Sequence, residues 1–149
     1  MLRRALVVLS IAFALLALPS CSEPIDPAAP PFRAISYEQA LVEASKDGRL
    51  VFLDFYADWC PPCRRLDATT WKDPQVIAWL EQHAVPLKID AERWTDLAAR
   101  FEVEAYPTLI FVDASGREQR RFLGYRDAAR FLAEAAPLLD AGGAAPAPR

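Results

Sequence analysis

Apolar runs alternate with amphipathic stretches between residues 34 and 140, and this pattern predicts strands separated by helices. The run Leu50 to Tyr56 is rich in β-branched and aromatic residues and short enough to form a buried strand. The other predicted strands are 85–89, 108–112 and 119–123. The predicted helices are 36–46, 64–71, one beginning at 73, 95–101 and one from 126 to the proline at 137. A capping box, Ser36 with Gln39, opens the first helix, and Thr95 is expected to cap the fourth.

The N-terminal segment has the pattern of a secretory signal. Arg3 and Arg4 precede an apolar-dominated span, Ala5 to Leu18, that is too short to favour a transmembrane helix. Leu18-Pro19-Ser20-Cys21 resembles a bacterial lipobox, so we expect a signal peptide over residues 1–20 and lipidation at Cys21. The alternatives are an ordinary cleaved signal and an uncleaved anchor.

Composition sets the limits of the folded domain. Residues 21–33 contain four prolines and are predicted to form an extended tether, and residues 141–149 are predicted to be a disordered tail. Residues 34–140 are expected to form one domain, large enough to bury a core without disulfide staples. The formal charge is −3 and falls to −5 if Arg3 and Arg4 leave with the signal, which argues against a nucleic-acid surface.

The motif Cys60-Pro61-Pro62-Cys63 follows the predicted strand at 50–56 and opens the next helix. Two thiols at this spacing can form and break a disulfide reversibly. The helix N-terminus stabilises a thiolate, so we expect Cys60, at the exposed helix end, to be the nucleophile and Cys63 the resolving thiol. A structural zinc site needs four ligands, commonly cysteines and histidines. Apart from Cys60 and Cys63, the chain has only Cys21 and His83 of these types, so we expect no metal and no cofactor. A purely structural disulfide is disfavoured because so short a loop restrains little chain entropy.

Two separated stretches resemble the thioredoxin family. They are Val51 to Cys63, which ends Tyr56-Ala57-Asp58-Trp59-Cys60-Pro61-Pro62-Cys63, and Tyr106 to Phe111. The resemblance covers about residues 35–139. Within the family, Tyr56-Ala57-Asp58-Trp59-Cys60 and the following Asp73-Pro74-Gln75-Val76 look most like the C-terminal periplasmic domain of the transmembrane disulfide-interchange reductases. The resemblance to the thioredoxin family implies an α/β thioredoxin fold, with a mixed central sheet flanked by helices. It also implies dithiol–disulfide exchange.

Asp54 lies in the middle of the apolar run and matches the buried aspartate of thioredoxins. A buried carboxyl group resists ionisation, so Asp54 is expected to exchange a proton with Cys63. The alternative is an aspartate at a frayed strand end, bonded to backbone or water. Lys88 does not align with the lysine found near that aspartate in thioredoxins, so no proton relay through a lysine is expected.

The resemblance also implies a substrate-binding surface beside the cysteines. Pro107 matches a cis proline of the family, and in that geometry the backbone of Tyr106 can pair with an extended substrate segment. The alternative is a trans proline that begins an edge strand. Trp59 is either a contact surface for partner chains or a core residue. The remaining tryptophans, Trp71, Trp79 and Trp94, are expected to pack in the core, and His83 to be solvated.

Three functions remain open from the sequence. The first is a thiol-disulfide reductase, lipid-anchored on the periplasmic side of a bacterial membrane, that receives electrons from a membrane protein and reduces exported proteins. The second is an oxidase or isomerase of the same fold, since the reduction potential sets the direction. The third is a non-enzymatic binding module, which the intact cysteine pair disfavours.

Overall fold

The apolar run Leu50 to Tyr56 is the first strand, β1, and lies inside a four-stranded sheet. The structure is a computed structural model that describes residues 31–142. The other strands are β2 (Ala84–Asp90), β3 (Thr108–Val112) and β4 (Glu118–Leu123). The strand order is β2-β1-β3-β4; β1 is parallel to β2 and antiparallel to β3, and β4 is antiparallel to β3. The predicted mixed sheet is therefore confirmed.

Helices flank the sheet near the predicted positions. They are α1 (Tyr37–Asp47), α2 (Pro61–Ala68), α3 (Pro74–His83), α4 (Thr95–Arg100), α5 (Ala128–Ala135) and α6 (Pro137–Gly142), with a 3₁₀ turn at Thr70–Lys72. The capping box of Ser36 and Gln39 is confirmed, and α1 ends at Gly48, whose φ of 67° suits glycine. The predicted cap at Thr95 is wrong, because Trp94 takes the N-cap position and Thr95 is the first helical residue.

Alternate residues of β1 face two hydrophobic clusters, one on each side of the sheet. Val51, Leu53 and Phe55 pack in the cluster that includes α1 residues. Phe52 packs in the second cluster, which includes residues of α3 and α5. The central strand is therefore buried on both faces, and a charged residue within it loses contact with water.

The ends of the domain differ from the prediction in two places. Phe32, assigned by composition to the tether, is buried in the second cluster against Phe52 and Trp71. Helix α6 includes residues 141 and 142, which were assigned to the tail. The predicted signal peptide, Cys21, most of the tether and residues 143–149 lie outside the described residues. Within residues 31–142, no helix is long and apolar enough to cross a membrane.

Candidate active site

Cys60 and Cys63 lie where β1 passes into α2. Cys60 is the N-cap residue of α2 and Pro61 occupies the first helical turn, where its missing N–H costs no hydrogen bond. The two cysteines form a disulfide with their Cα atoms 5.3 Å apart. The backbone N–H of Cys63 donates to Cys60 Sγ at 3.2 Å. The predicted contact between the start of the helix and the Cys60 sulfur is therefore present, and this geometry favours a thiolate at Cys60 once the disulfide is reduced.

Both cysteines are buried, which corrects the expectation that Cys60 is exposed. Each is 2% exposed, and they form a small cluster with Ala57 against which Tyr56 and Tyr106 pack. In the disulfide state, solvent exposure does not distinguish the two cysteines. Their positions on the helix do, because Cys60 caps it and Cys63 lies one turn inside.

Trp59 lies on the surface next to the disulfide. Its side chain is 62% exposed, so the core alternative is wrong. The indole N–H donates to Glu92 Oε1 at 2.9 Å, and the ring meets the Tyr106 ring edge-on at a centroid distance of 5.8 Å. Glu92, which no sequence motif marks, therefore fixes the orientation of an exposed aromatic face.

The loop before β3 carries the proline predicted to be cis. The Tyr106–Pro107 peptide bond is cis, and Pro107 O accepts a hydrogen bond from Gly124 N at 2.9 Å. Thr108 Oγ1 donates to Ala105 O at 2.6 Å and closes the loop on itself. The Tyr106 side chain is thereby held between Trp59 and the cysteine cluster.

Asp54 is 1% exposed in the middle of β1, so the frayed-end alternative is wrong. The Trp71 indole N–H donates to Asp54 Oδ2 at 2.9 Å, and Lys88 Nζ lies 3.8 Å from the same oxygen. Within the described part of the chain, Oδ1 has no hydrogen-bond partner. Burial raises the pKa of Asp54 to about 6. The positive charge of Lys88 lowers the pKa, the negative charge of Asp67 raises it, and the hydrogen bond from Trp71 lowers it.

Lys88 lies beside the buried aspartate, although its position in the sequence does not align with the lysine found there in thioredoxins. The parallel register of β1 and β2 places Lys88 directly opposite Asp54. The Lys88 ammonium also forms an ion pair with Asp67 on α2, so it bridges a buried and a half-exposed carboxylate. Trp71 packs in the core as predicted, but its hydrogen bond to Asp54 was missed. A sequence signal for Lys88 did exist: a single cation in a strand predicted to lie in the same domain as a buried acid.

No group of three or more metal-ligating side chains is found among residues 31–142. The arrangement instead supplies thiol chemistry: a disulfide at a helix N-terminus, an aromatic surface and cis proline next to it, and a buried acid whose pKa lies near neutrality. Such an acid can exchange a proton at neutral pH.

Comparisons with known proteins point to one family. A family model described as a thioredoxin-like domain matches residues 37–136. The thiol:disulfide interchange protein DsbD of Salmonella paratyphi A is 39% identical over 111 residues, covering 68% of this chain and 19% of that protein. Thioredoxin-1 of Drosophila melanogaster is 34% identical over 87 residues, covering 58% of this chain and 74% of that protein.

A solved structure agrees with these sequence matches. The solution structure of a thioredoxin from Thermus thermophilus matches with a TM-score of 0.64 at 32% identity, covering 72% of this chain and 86% of that one. The DsbD relatives are much longer than the matched region, and the chain spans about a fifth of their length.

Proposed function

The chain belongs to the thioredoxin-like family of thiol-disulfide oxidoreductases, and on that premise we propose that it reduces disulfides in exported proteins through Cys60 and Cys63. The observation that carries the proposal is the Cys60–Cys63 disulfide at the N-terminus of α2, beside the cis Tyr106–Pro107 bond. A structural disulfide closing so short a loop would add little stability, so its position favours a redox role.

The reaction starts from the reduced dithiol. The Cys60 thiolate attacks one sulfur of a substrate disulfide, forming a Cys60–substrate disulfide, and the other substrate sulfur leaves as a thiolate that takes up a proton. Cys63 then loses its proton and attacks Cys60 Sγ, which breaks the mixed disulfide and releases the second substrate sulfur. Two electrons pass to the substrate, and the protein ends with the Cys60–Cys63 disulfide.

Asp54 is the proposed acceptor for the Cys63 proton. Its burial supports this role, since a carboxyl group with a pKa of about 6 is largely ionised at pH 7 to 8 yet basic enough to take a proton. Lys88 offsets the charge of the ionised form, because its ammonium lies 3.8 Å from Asp54 Oδ2. A thiol has an ordinary pKa of about 8.5, so Cys63 needs such help near neutral pH.

Substrate proteins are proposed to bind across Trp59, Tyr106 and Pro107. An extended segment paired with the backbone of Tyr106 would gain affinity with little demand on its sequence. The exposed face of Trp59 supports this proposal, because amphipathic aromatic rings are favoured in contact surfaces.

The proposed location is the periplasmic side of a bacterial membrane, with a lipid anchor at Cys21 and a membrane protein as electron donor. The 39% identity to DsbD of Salmonella paratyphi A supports an electron-transfer partner of that kind. The lipobox-like sequence ending at Cys21 supports the anchor. Lipid chains on Cys21 would hold the domain near its donor.

Single-cysteine variants test the chemistry. Cys63→Ala should accumulate mixed disulfides with substrate proteins, because attack by Cys60 succeeds and resolution fails; Cys60→Ala should trap few. Mass spectrometry of non-reducing gel bands identifies the linked residue. Equal trapping by both variants, or trapping by neither, would contradict the assigned roles.

The equilibrium of the Cys60–Cys63 pair with glutathione tests the direction. A reductase should have a potential near that of thioredoxin, about −270 mV, whereas a strong oxidase such as DsbA lies near about −120 mV. A value close to the second would replace the reductase proposal with the oxidase alternative.

A further inference from the structure

Phe32 lies in the folded domain although the prolines that precede it suggest a tether. Its ring stacks on Phe52 at a centroid distance of 6.5 Å and meets Trp71 edge-on at 5.7 Å. The next residue, Arg33, donates its backbone N–H to Pro86 O at 2.9 Å, which fixes the segment against β2. The chain just before α1 is therefore held by both apolar packing and a backbone hydrogen bond.

The ammonium of Lys88 is surrounded by two carboxylates and two aromatic rings. Asp54 Oδ2 lies 3.8 Å away, and Asp67 forms a direct ion pair. The ring centroid of Phe32 lies 5.5 Å from Lys88 Nζ and that of Tyr56 lies 4.7 Å from it, both within cation–π range. The side chain of Lys88 is only 15% exposed, so these groups replace much of its contact with water.

Phe32 thus contacts both side chains that approach Asp54 Oδ2. One is Lys88, through the face of the Phe32 ring, and the other is Trp71, whose indole N–H donates to the same oxygen. We infer that Phe32 is a positioning residue: its ring holds Lys88 and Trp71 against Asp54 and keeps water away from the carboxyl group. The N-terminal segment at 31–33 then completes the buried acid of the redox domain.

Removing the ring has a predictable effect on the titration of Asp54. The groups facing Asp54 are Lys88 from β2, Asp67 from α2 and Trp71 from the 3₁₀ turn. Burial is the largest single cause of the raised pKa, so admitting water lowers it. A looser Lys88 and a looser Trp71 hydrogen bond act in the opposite direction, and each of them is a smaller cause than burial. Loss of Phe32 should therefore move the titration of Asp54 to lower pH.

The experiment compares Phe32→Ala, Phe32→Leu and a control, Phe122→Leu, in the full chain. Phe122 is buried in the same cluster, but its ring lies near Arg120 and Arg126. The measurement is the ¹³C chemical shift of the Asp54 carboxyl carbon against pH in the oxidised protein. Phe32→Ala should lower the midpoint by on the order of one pH unit, Phe32→Leu should lower it less, and Phe122→Leu should lower the melting temperature without moving the midpoint.

An unchanged midpoint in Phe32→Ala, or an equal shift in the Phe122→Leu control, would overturn the inference. If Phe32→Ala does not fold, Phe32→Leu decides the question, because it retains most of the apolar volume. The role of Phe32 in resolving mixed disulfides rests on the proposed function, whereas the titration needs no turnover. A shifted midpoint in a protein that reduces no substrate would refute the proposed function alone.

Discussion

Replacing Asp54 with asparagine should stabilise the oxidised protein at pH 8 and slow its reaction near neutral pH. The carboxyl group is 1% exposed, and its pKa rises from 3.8 to about 6, chiefly because of burial. The folded protein therefore binds this proton more tightly than the unfolded chain does. The stability that the protonated group contributes is fully present below about pH 3.8 and is lost as the pH rises through about 6.

The size of the effect follows from the shift. Each pKa unit corresponds to about 1.4 kcal/mol, so ionising Asp54 in the folded state costs about 3 kcal/mol at pH 8. An asparagine avoids that cost, and its side-chain oxygen can still accept the hydrogen bond from Trp71. The free energy of unfolding of Asp54→Asn should exceed that of the wild type by up to about 3 kcal/mol at pH 8, and the gain should vanish by about pH 4.

Urea unfolding of both oxidised proteins at pH 4, 6 and 8 measures this difference. Asp113→Asn is the matched control, because the pKa of Asp113 is lowered whereas that of Asp54 is raised. Burial raises the pKa of Asp113, but hydrogen bonds from Ser115 and Arg117 outweigh it and hold the pKa below its ordinary value. That variant should lose stability at pH 8. If Asp54→Asn were no more stable than the wild type at pH 8, burial would not be the cause of the raised pKa. The same conclusion would follow if its free energy of unfolding exceeded that of the wild type by the same amount at all three pH values.

The same variant has a kinetic consequence. Because the proposed mechanism uses Asp54 as the acceptor of the Cys63 proton, resolution of the mixed disulfide in this variant should slow by about 10²-fold or more between pH 7 and 8. The deficit should shrink at higher pH, because hydroxide can then remove the Cys63 proton in place of the carboxylate. A rate that matches the wild type across the pH range would remove Asp54 from the mechanism.

Two further predictions concern anchoring and substrate contact. Cys21→Ser should abolish lipid labelling and membrane fractionation while leaving disulfide reduction unchanged; an unmodified mature N-terminus or an intact Met1 in the wild type, by mass spectrometry, would refute the anchor. Glu92→Ala should free the Trp59 indole and lower kcat/KM for a protein disulfide by about two- to fivefold, as expected for one hydrogen bond. Glu92→Gln, which keeps an acceptor, should retain the wild-type value, and equal losses in both variants would contradict a positioning role.

Local signals explain what the sequence predicted well. The strand at Leu50 to Tyr56 and the capping box at Ser36 depend on residues adjacent in the chain, and both are found where expected. The Cys60-Pro61-Pro62-Cys63 motif carries its own geometry, because Pro61 favours a helix start and the thiols lie one turn apart. These features need no knowledge of the rest of the fold.

The residues that were misjudged depend on contacts distant in sequence. Lys88 meets Asp54 through the register of two parallel strands, which no nearby residue specifies. Cys60 is buried because Tyr106, from the loop before β3, packs against the cysteine cluster. Phe32 directly follows a proline-rich segment that favours extended structure, yet its ring packs against Phe52 and Trp71.

Helix α2 links the thiols to the buried acid through Asp67 and Lys88. Cys63 and Asp67 lie four residues apart on this helix and therefore share a face. Asp67 forms an ion pair with Lys88, and Lys88 is the cation nearest Asp54 Oδ2 among the described residues. A shift of α2 when the disulfide opens would move Asp67 together with Cys63, and so change how strongly Lys88 offsets the Asp54 charge. Such a shift would couple the proton affinity of Asp54 to the redox state of the cysteines through one helix and one lysine.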